Sequence, residues 1–359
     1  DEPTRWQLVS YLKSLSPIFD ETPPTPVTVT ADPGLHGADP AQGKTLYAKL
    51  GCAACHGHSG RANGTSAAGL VDDWEMPIRP ANLTQGWTYR GGHDAEAVML
   101  RMLTGIDGAG LPSYAEAISP DEAWHLAYYV VSLQAPTSWN AIAHPLHVTG
   151  ALPTSLDDPQ WAMCERTDVR LRNTVTQEGE WKEPSTVTAV SFQAIHNGDA
   201  IVMRIVWDDP TDDRGAAPSD PPDAACSSDG LAIFLKPSDS QGDVVTLHAW
   251  PFPGAPRLDV MYWSAGTQSA HETVADTLEQ VFEGSGQSPP LTSIAAYEDG
   301  RWQLLVHRAF HPSVPEGAAR IHEDRLTSLA FTVWDGGNPT ARAVSPWVEL
   351  TLRPSHTTE

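Results

Sequence analysis

Residues 51–60, GCAACHGHSG, carry the pattern C-x-x-C-H at Cys52, Cys55 and His56. Two thiols one short helical turn apart, followed at once by an imidazole, form the attachment signature of a c-type haem. In that chemistry the sulfurs become thioethers on the haem vinyls, and the adjacent histidine supplies the proximal iron ligand. Two other readings compete. A thioredoxin-like pair follows a strand in a βαβ unit, whereas the segment before Cys52, residues 39–50, has helical character with Gly43, Leu46 and Tyr47 on it. A zinc site needs a second ligand pair nearby, and His58 alone does not provide one. The expectation is one covalent haem c on Cys52 and Cys55, with His56 on the iron.

Outward from the motif, the chain reads AQGKTLYAKLGCAACHG, PIRPANLTQGWTYRGGHDAEAV, RMLTGIDGAGLPSY and DEAWHLAYYVVSL in that order. With these landmarks residues 37–136 resemble an all-α class I c-type cytochrome domain. The resemblance implies that the Arg-Pro-Ala-Asn-Leu-Thr segment borders the haem propionates, making Arg79 a charge partner for one of them; a plain surface arginine is the alternative. Relatives place a methionine ligand in the loop where this chain has Leu111, and leucine cannot coordinate iron. Met76, in DDWEMPIRP, is then the candidate sixth ligand, against an open or water-bound iron, His58, His93 or a ligand from elsewhere. Met99 and Met102 lie in the helical stretch DAEAVMLRMLT and read as packing residues.

The first fifteen residues, DEPTRWQLVSYLKSL, repeat the end of this domain. Trp6, Leu8, Tyr11, Ser14 and Leu15 recur as Trp124, Leu126, Tyr129, Ser132 and Leu133, a constant offset of 118 positions. Residues 1–16 therefore read as the last helix of a preceding cytochrome domain, the alternative being a coincidental amphipathic helix. Residues 17–36 are proline-rich and read as a linker.

After residue 136 the texture changes. Runs rich in Val, Ile, Phe and Trp alternate with turn residues: STVTAVSFQAIHNGDAIVMRIVWDD, DGLAIFLKP, DVVTLHAW, RLDVMYWSAG, RWQLLVHRAF, SLAFTVWDG and WVELTLRP. HNGD between two such runs signals a hairpin. Seven or more strands in about 200 residues predict an antiparallel β-sandwich over 137–359, so the fold class is multidomain α + β.

On DDPQWAMCERTDVRL, IVWDDPTDD, DGLAIFL, VMYW and FTVWDGGNPTARAVSPWVEL, residues 151–352 resemble the haem-binding γ subunits of ethylbenzene and dimethylsulfide dehydrogenases and of the related selenate, chlorate and nitrate/nitrite oxidoreductases. The resemblance implies a non-covalent haem b held between a methionine and a lysine. Pro253 and Arg342 stand at those two places, and arginine is no useful iron ligand. Met261 and His248 are substitutes nearby in sequence but read as strand residues. Haem b is the lesser expectation, and the sandwich is expected as a docking or structural module. Because haem c is attached outside the cytoplasm, where disulfides persist, a Cys164–Cys226 bond is expected rather than two buried thiols.

Acidic residues outnumber basic ones 45 to 22, a net charge of -23, which disfavours nucleic acid and anionic membranes as partners. No run approaches the roughly 18 apolar residues of a membrane span, and no signal peptide opens the chain, which is expected to be processed if exported. No G-x-S-x-G, P-loop or H-E-x-x-H is present, so catalysis is not expected. The expected role is a periplasmic electron-transfer protein, subunit or redox partner of a DMSO-reductase-family molybdoenzyme complex, exchanging electrons with a soluble or membrane-bound carrier. Two alternatives remain: a haem enzyme or gas-binding protein with an open iron position, and a sandwich that binds carbohydrate through Trp250, Tyr262 and Trp263, residues that read more simply as core packing.

Overall fold

The computed structural model describes residues 2–17, 19, 27, 29–173, 185–215, 228–236, 247, 250–251, 256–284, 290–312, 316–323, 326–337 and 342–352. The chain divides into two compact units, one comprising Asp1–Gly60 with Ser66–Gln134, the other Arg61–Thr65 with Ala135–Glu359.

The first unit is helical: α1 (Glu2–Ser14), α2 (Gly34–Gly37), α3 (Pro40–Lys49), α4 (Cys52–His56), α5 (Ala95–Thr104) and α6 (Pro120–Leu133). Local chemistry sets the starts. Asp39 caps α3 by accepting from Ala41 N–H, and Asp94 caps α5 by accepting from Ala97 N–H. Ser119 and Glu122 form a reciprocal capping box ahead of α6, with Pro120 in its first turn. Where α3 crosses α6, a Cβ on Gly43 would lie 2.0 Å from the His125 carbonyl oxygen, so only glycine permits this approach. Tyr47 and Tyr129 meet edge-on at 5.3 Å beside the crossing. The end of the linker also packs: Trp124 Nε1–H donates to Thr30 Oγ1 at 3.0 Å, and Tyr128 O–H to Asp32 Oδ1 at 2.8 Å. No described helix is long and apolar enough to cross a membrane.

The second unit is a two-layer sandwich. Its strands are β1 (Ile142–Ala143), β2 (Leu146–His147), β3 (Thr167–Arg170), β4 (Arg172–Asn173), β5 (Ala189–His196), β6 (Ala200–Asp208), β7 (Gly230–Leu235), β8 (Leu258–Ser264), β9 (Ser269–Ala275), β10 (Pro290–Leu291), β11 (Ser293–Tyr297), β12 (Arg301–Ala309), β13 (Thr327–Trp334), β14 (Arg342–Val344) and β15 (Val348–Leu350). One sheet runs β1-β15-β13-β7-β8-β9-β10, with β14 on β13 and β4 on β14; the other runs β11-β12-β6-β5-β2, with β3 on β5. Two short edge pairs, β1/β15 and β2/β5, are parallel, and the remaining pairs are antiparallel. The sandwich expected as antiparallel is therefore mixed at these edges.

The HNGD hairpin forms between β5 and β6. Asn197 Oδ1 accepts from Asp199 N–H and Ala200 N–H, and Gly198 takes a φ of 92°, the conformation such a turn demands. Between the sheets, Phe192 faces Phe331 at 5.1 Å and Trp263 meets Trp302 at 5.0 Å. The first sheet is covered on its other face as well, where Phe234, Trp250, Tyr262 and Trp334 form a second cluster with α7 (Leu278–Glu283) against it.

The readings of core packing for the three aromatics and of a strand place for Met261 hold here, and the disulfide changes. Trp250, Tyr262 and Trp263 are buried in these two clusters and form no sugar-stacking platform on the surface. Cys164 is a buried free thiol whose Sγ donates to the Ala194 carbonyl at 3.2 Å; the expected bond to Cys226 is not formed, and Cys226 lies outside the described residues. Met261 is packed in the inter-sheet core, and Arg342 donates to the Trp250 carbonyl at 2.8 Å, burial lowering its pKa to about 10. Pro253 and His248 lie outside the described residues.

Candidate haem site

A cavity of about 440 Å³ opens inside the first unit. Its wall brings together four distant parts of the sequence: Cys52, Cys55 and His56 from α4; Arg79, Pro80, Ala81 and Leu83; Val98, Arg101 and Met102 from α5 together with the loop that follows; and Leu126 and Val130 from α6. The lining is mostly aliphatic and aromatic, as a flat macrocycle requires.

The motif is held at its exit by two contacts. Tyr47 O–H reaches from α3 to the Gly57 carbonyl at 2.7 Å, fixing the exit of α4. His56 Nδ1 lies 2.8 Å from the Ala81 carbonyl oxygen. A carbonyl only accepts, so Nδ1 carries the proton and Nε2 keeps its lone pair. Burial lowers the His56 pKa, against the opposing pull of the Ala81 bond, and so favours the neutral ring that can ligate a metal. Cys52 and Cys55 are half-buried free thiols, and burial pushes Cys52 up from its ordinary value. Two accessible thiols, an oriented imidazole and an apolar cavity at one place fit a covalently attached haem.

Arg79 is on the cavity wall, where the resemblance places it, and the structure adds Arg90 and Arg101. Arg101 bonds the Gly92 carbonyl and lies 5.5 Å from the centre of the Tyr89 ring, which fixes its guanidinium at the cavity. Three guanidiniums beside one apolar pocket suit a ligand with carboxylate arms.

Met76 is 51% exposed and is not among the lining residues. Its backbone N–H donates to Asp72 Oδ1 at 2.9 Å within a tight surface loop. His58, His93 and Met99 are likewise absent from the wall, whereas Met102, read from sequence as core, lines it. Leu111 lines it too, positioned by the Ile106 N–H to Leu111 carbonyl bond of 2.9 Å. Periodicity alone could not separate Met102 from its packed neighbours, because a cofactor cavity and a core select the same residue types.

Residues 38–130 match the family model of cytochrome C oxidase, cbb3-type, subunit III. With the motif and cavity described above, they form a cytochrome c domain. Among solved structures, the chain is similar to the Kuenenia stuttgartiensis reducing HAO-like protein complex Kustc0457/Kustc0458, with 40% identity over 34% of this chain, 57% of that chain and a TM-score of 0.32. It therefore spans little more than half of that relative. A carbohydrate binding module family 9 protein from Caldicellulosiruptor kristjanssonii in complex with glucose covers 60% of this chain and 98% of its own, at 10% identity and a TM-score of 0.35. A putative carbohydrate-binding protein from Bacteroides uniformis covers 57% of this chain and 88% of its own, at 12% identity and a TM-score of 0.33. No curated protein matches.

Proposed function

We propose that the protein is an extracytoplasmic electron-transfer cytochrome, passing single electrons between a DMSO-reductase-family molybdoenzyme complex or its respiratory partner and a soluble or membrane-bound carrier. The observation that carries this reading is the convergence of Cys52, Cys55 and the Ala81-oriented His56 on one apolar cavity. When bound, haem c supplies one-electron redox chemistry. The chain's own residues do the rest. Cys52 and Cys55 anchor the group, and His56 offers Nε2. Arg79, Arg90 and Arg101 would hold its carboxylates, and Tyr89, Leu126 and Val130 would exclude water.

Met102, which lines the cavity where Met76 does not, would be the candidate thioether ligand in place of Met76. The molybdoenzyme partnership rests on the resemblance of the sandwich to γ subunits. The net charge of -23 supports docking on a basic partner surface, an attraction that steers encounter more than it adds affinity.

Leu111 on the wall favours a second reading, a five-coordinate haem that takes small ligands. Pyridine haemochrome spectra with intact mass should show one covalent haem. The absorption spectrum of the reduced protein should be low-spin and unchanged by carbon monoxide, and Met102→Ala should make it carbon monoxide-sensitive. A wild type that binds carbon monoxide would replace electron transfer with the small-ligand reading, and a chain without covalent haem would end both.

A further inference from the structure

Three aspartates outside the haem cavity lie just beyond strand ends of the sandwich: Asp209 after β6, Asp229 before β7 and Asp335 after β13. One carboxylate oxygen of each lies within 4.8 Å of the others, and all three side chains are fully buried. β6 belongs to one sheet and β7 and β13 to the other, so the acids meet where the two layers come together.

The hydrogen bonds around the cluster are almost all donated by uncharged groups. Asp229 accepts from Gly336 N–H at 2.8 Å on Oδ1, and from Asp213 N–H and Trp302 Nε1–H at 2.9 Å each on Oδ2. Asp335 Oδ2 accepts from Thr186 Oγ1–H at 2.6 Å and Thr186 N–H at 3.2 Å. Asp209 Oδ1 accepts from Thr211 N–H at 3.2 Å. The Thr211 hydroxyl lies 3.4 Å from that oxygen but 2.5 Å from Asp213 Oδ2, so its single proton goes to Asp213.

Asp209 Oδ2 is then left buried with no hydrogen-bond partner at all. An unpaired carboxylate oxygen in a dry interior is costly, and its persistence calls for a partner.

Nearby arginines do not fill that role. Arg301 pairs with Asp208 at 2.8 Å, and Arg214 with Asp212 at 2.7 Å while lying over the Trp302 ring. Among the described residues neither Asp209 nor Asp229 has an ion-pair partner. The backbone is shaped to the cluster as well. A Cβ on Gly337 would fall 2.9 Å from Asp213 Oδ2 and 3.3 Å from Asp335 Oδ1, and one on Gly336 would fall 2.8 Å from Asp229 N. The Asp335-Gly336-Gly337 turn can close over these oxygens only because it is bare.

The geometry points to a divalent cation site of the calcium class, with Asp209, Asp229 and Asp335 as its anionic ligands and half-buried Asp213 at its border. The donor set is all oxygen, without histidine or thiolate, which selects hard cations over zinc or copper. Calcium is favoured over magnesium because a site supplying three carboxylates asks the ion to shed most of its water, and magnesium does so reluctantly. A cation there would join the strand ends of both sheets and stabilise the sandwich through linkage.

The test uses the full haem-loaded chain, stripped with chelator and titrated with Tb³⁺ while tryptophan is excited, since Trp302 contacts Asp229. Sensitised emission displaced by sub-millimolar Ca²⁺, and less readily by Mg²⁺, is expected, together with a higher thermal midpoint of the sandwich in Ca²⁺ than in chelator. Asp209→Asn, which keeps shape and removes charge, should weaken Ca²⁺ by at least about tenfold. The wild-type measurements stand on their own if that variant does not fold, and Asp335→Asn then replaces it. Absence of both emission and thermal shift in wild type, tighter binding of Zn²⁺ than of Ca²⁺, or Ca²⁺ affinity unchanged in a folded variant would overturn the site.

Discussion

Helices α1 and α6 share a Trp, a Leu, a Tyr and a Ser at the same register and end in opposite environments. Trp124, Leu126 and Tyr129 are 2%, 1% and 7% exposed, while Trp6, Leu8 and Tyr11 are 63%, 57% and 62% exposed. Even the closing bond recurs: Ser132 Oγ–H donates to the Tyr129 carbonyl at 2.6 Å and Ser14 Oγ–H to the Tyr11 carbonyl at 2.7 Å. What differs is the surface each helix faces. α6 meets a helix whose Gly43 lets the backbones touch, an aromatic partner in Tyr47 and a hydroxyl in Thr30, and it gives Leu126 and Val130 to the haem cavity. Described residues of α1 bury nothing. An amphipathic stripe records the capacity to pack, and its energy depends on the partner.

The largest effect that follows is at Trp124. Truncation to alanine removes a fully packed indole and its bond to Thr30, which should cost about 3–5 kcal/mol of stability in the cytochrome unit. Denaturant unfolding of the haem-loaded chain, followed at the Soret band, measures it. A loss below about 1 kcal/mol would mean that α6 is no better anchored than α1, and the contrast would collapse.

Charged groups show the same dependence on partners. Arg308 is fully buried and bonds Asp259 Oδ2 at 2.7 Å and Glu272 Oε1 at 2.9 Å, one cation between two acids. Burial, then the Asp259 charge, raise Glu272 to about 7, with Arg308 pulling the other way. Because the folded chain holds this proton more tightly than the unfolded one, the associated stability is fully present below the ordinary carboxylate pKa and is lost as pH rises through about 7. Between pH 5 and pH 8 the Glu272 proton should therefore account for a loss on the order of 3 kcal/mol at most. Calorimetric midpoints across that range check the sign, and Glu272→Gln should flatten the slope. A sandwich that gains stability over the same interval would refute the assignment.

Features written in contiguous residues were legible from the chain alone. The C-x-x-C-H motif, the capped helices α3, α5 and α6 and the HNGD turn depend on neighbours a few positions apart, where sterics and local hydrogen bonds act. Features assembled by topology were not. β8 is buried at every position because both faces of its sheet are covered, so Tyr262 and Trp263 could be read as core without the sequence showing which face each would fill. Asp209, Asp229 and Asp335 each look like an ordinary turn residue at a strand end, and only the pairing of β7 with β13 and the stacking of the layers bring them together. Arg90 and Arg101 carried no signal beyond charge, and Met102 was hidden among apolar helix residues.

The smallest effect is the sharpest probe of the comparison. Trp6 matches Trp124 in residue type, helix position and register, so any energy intrinsic to a tryptophan in this stripe would appear equally at both. With Trp6 mostly exposed, truncation removes little buried area and breaks none of the contacts that Trp124 makes, and Trp6→Ala should change the stability of this chain by no more than about 0.5 kcal/mol. The pair of variants read in one denaturation experiment then isolates the contribution of the partner surface from that of the sequence. A cost at Trp6 approaching that at Trp124 would show that α1 is packed in solution and that its stripe is in use.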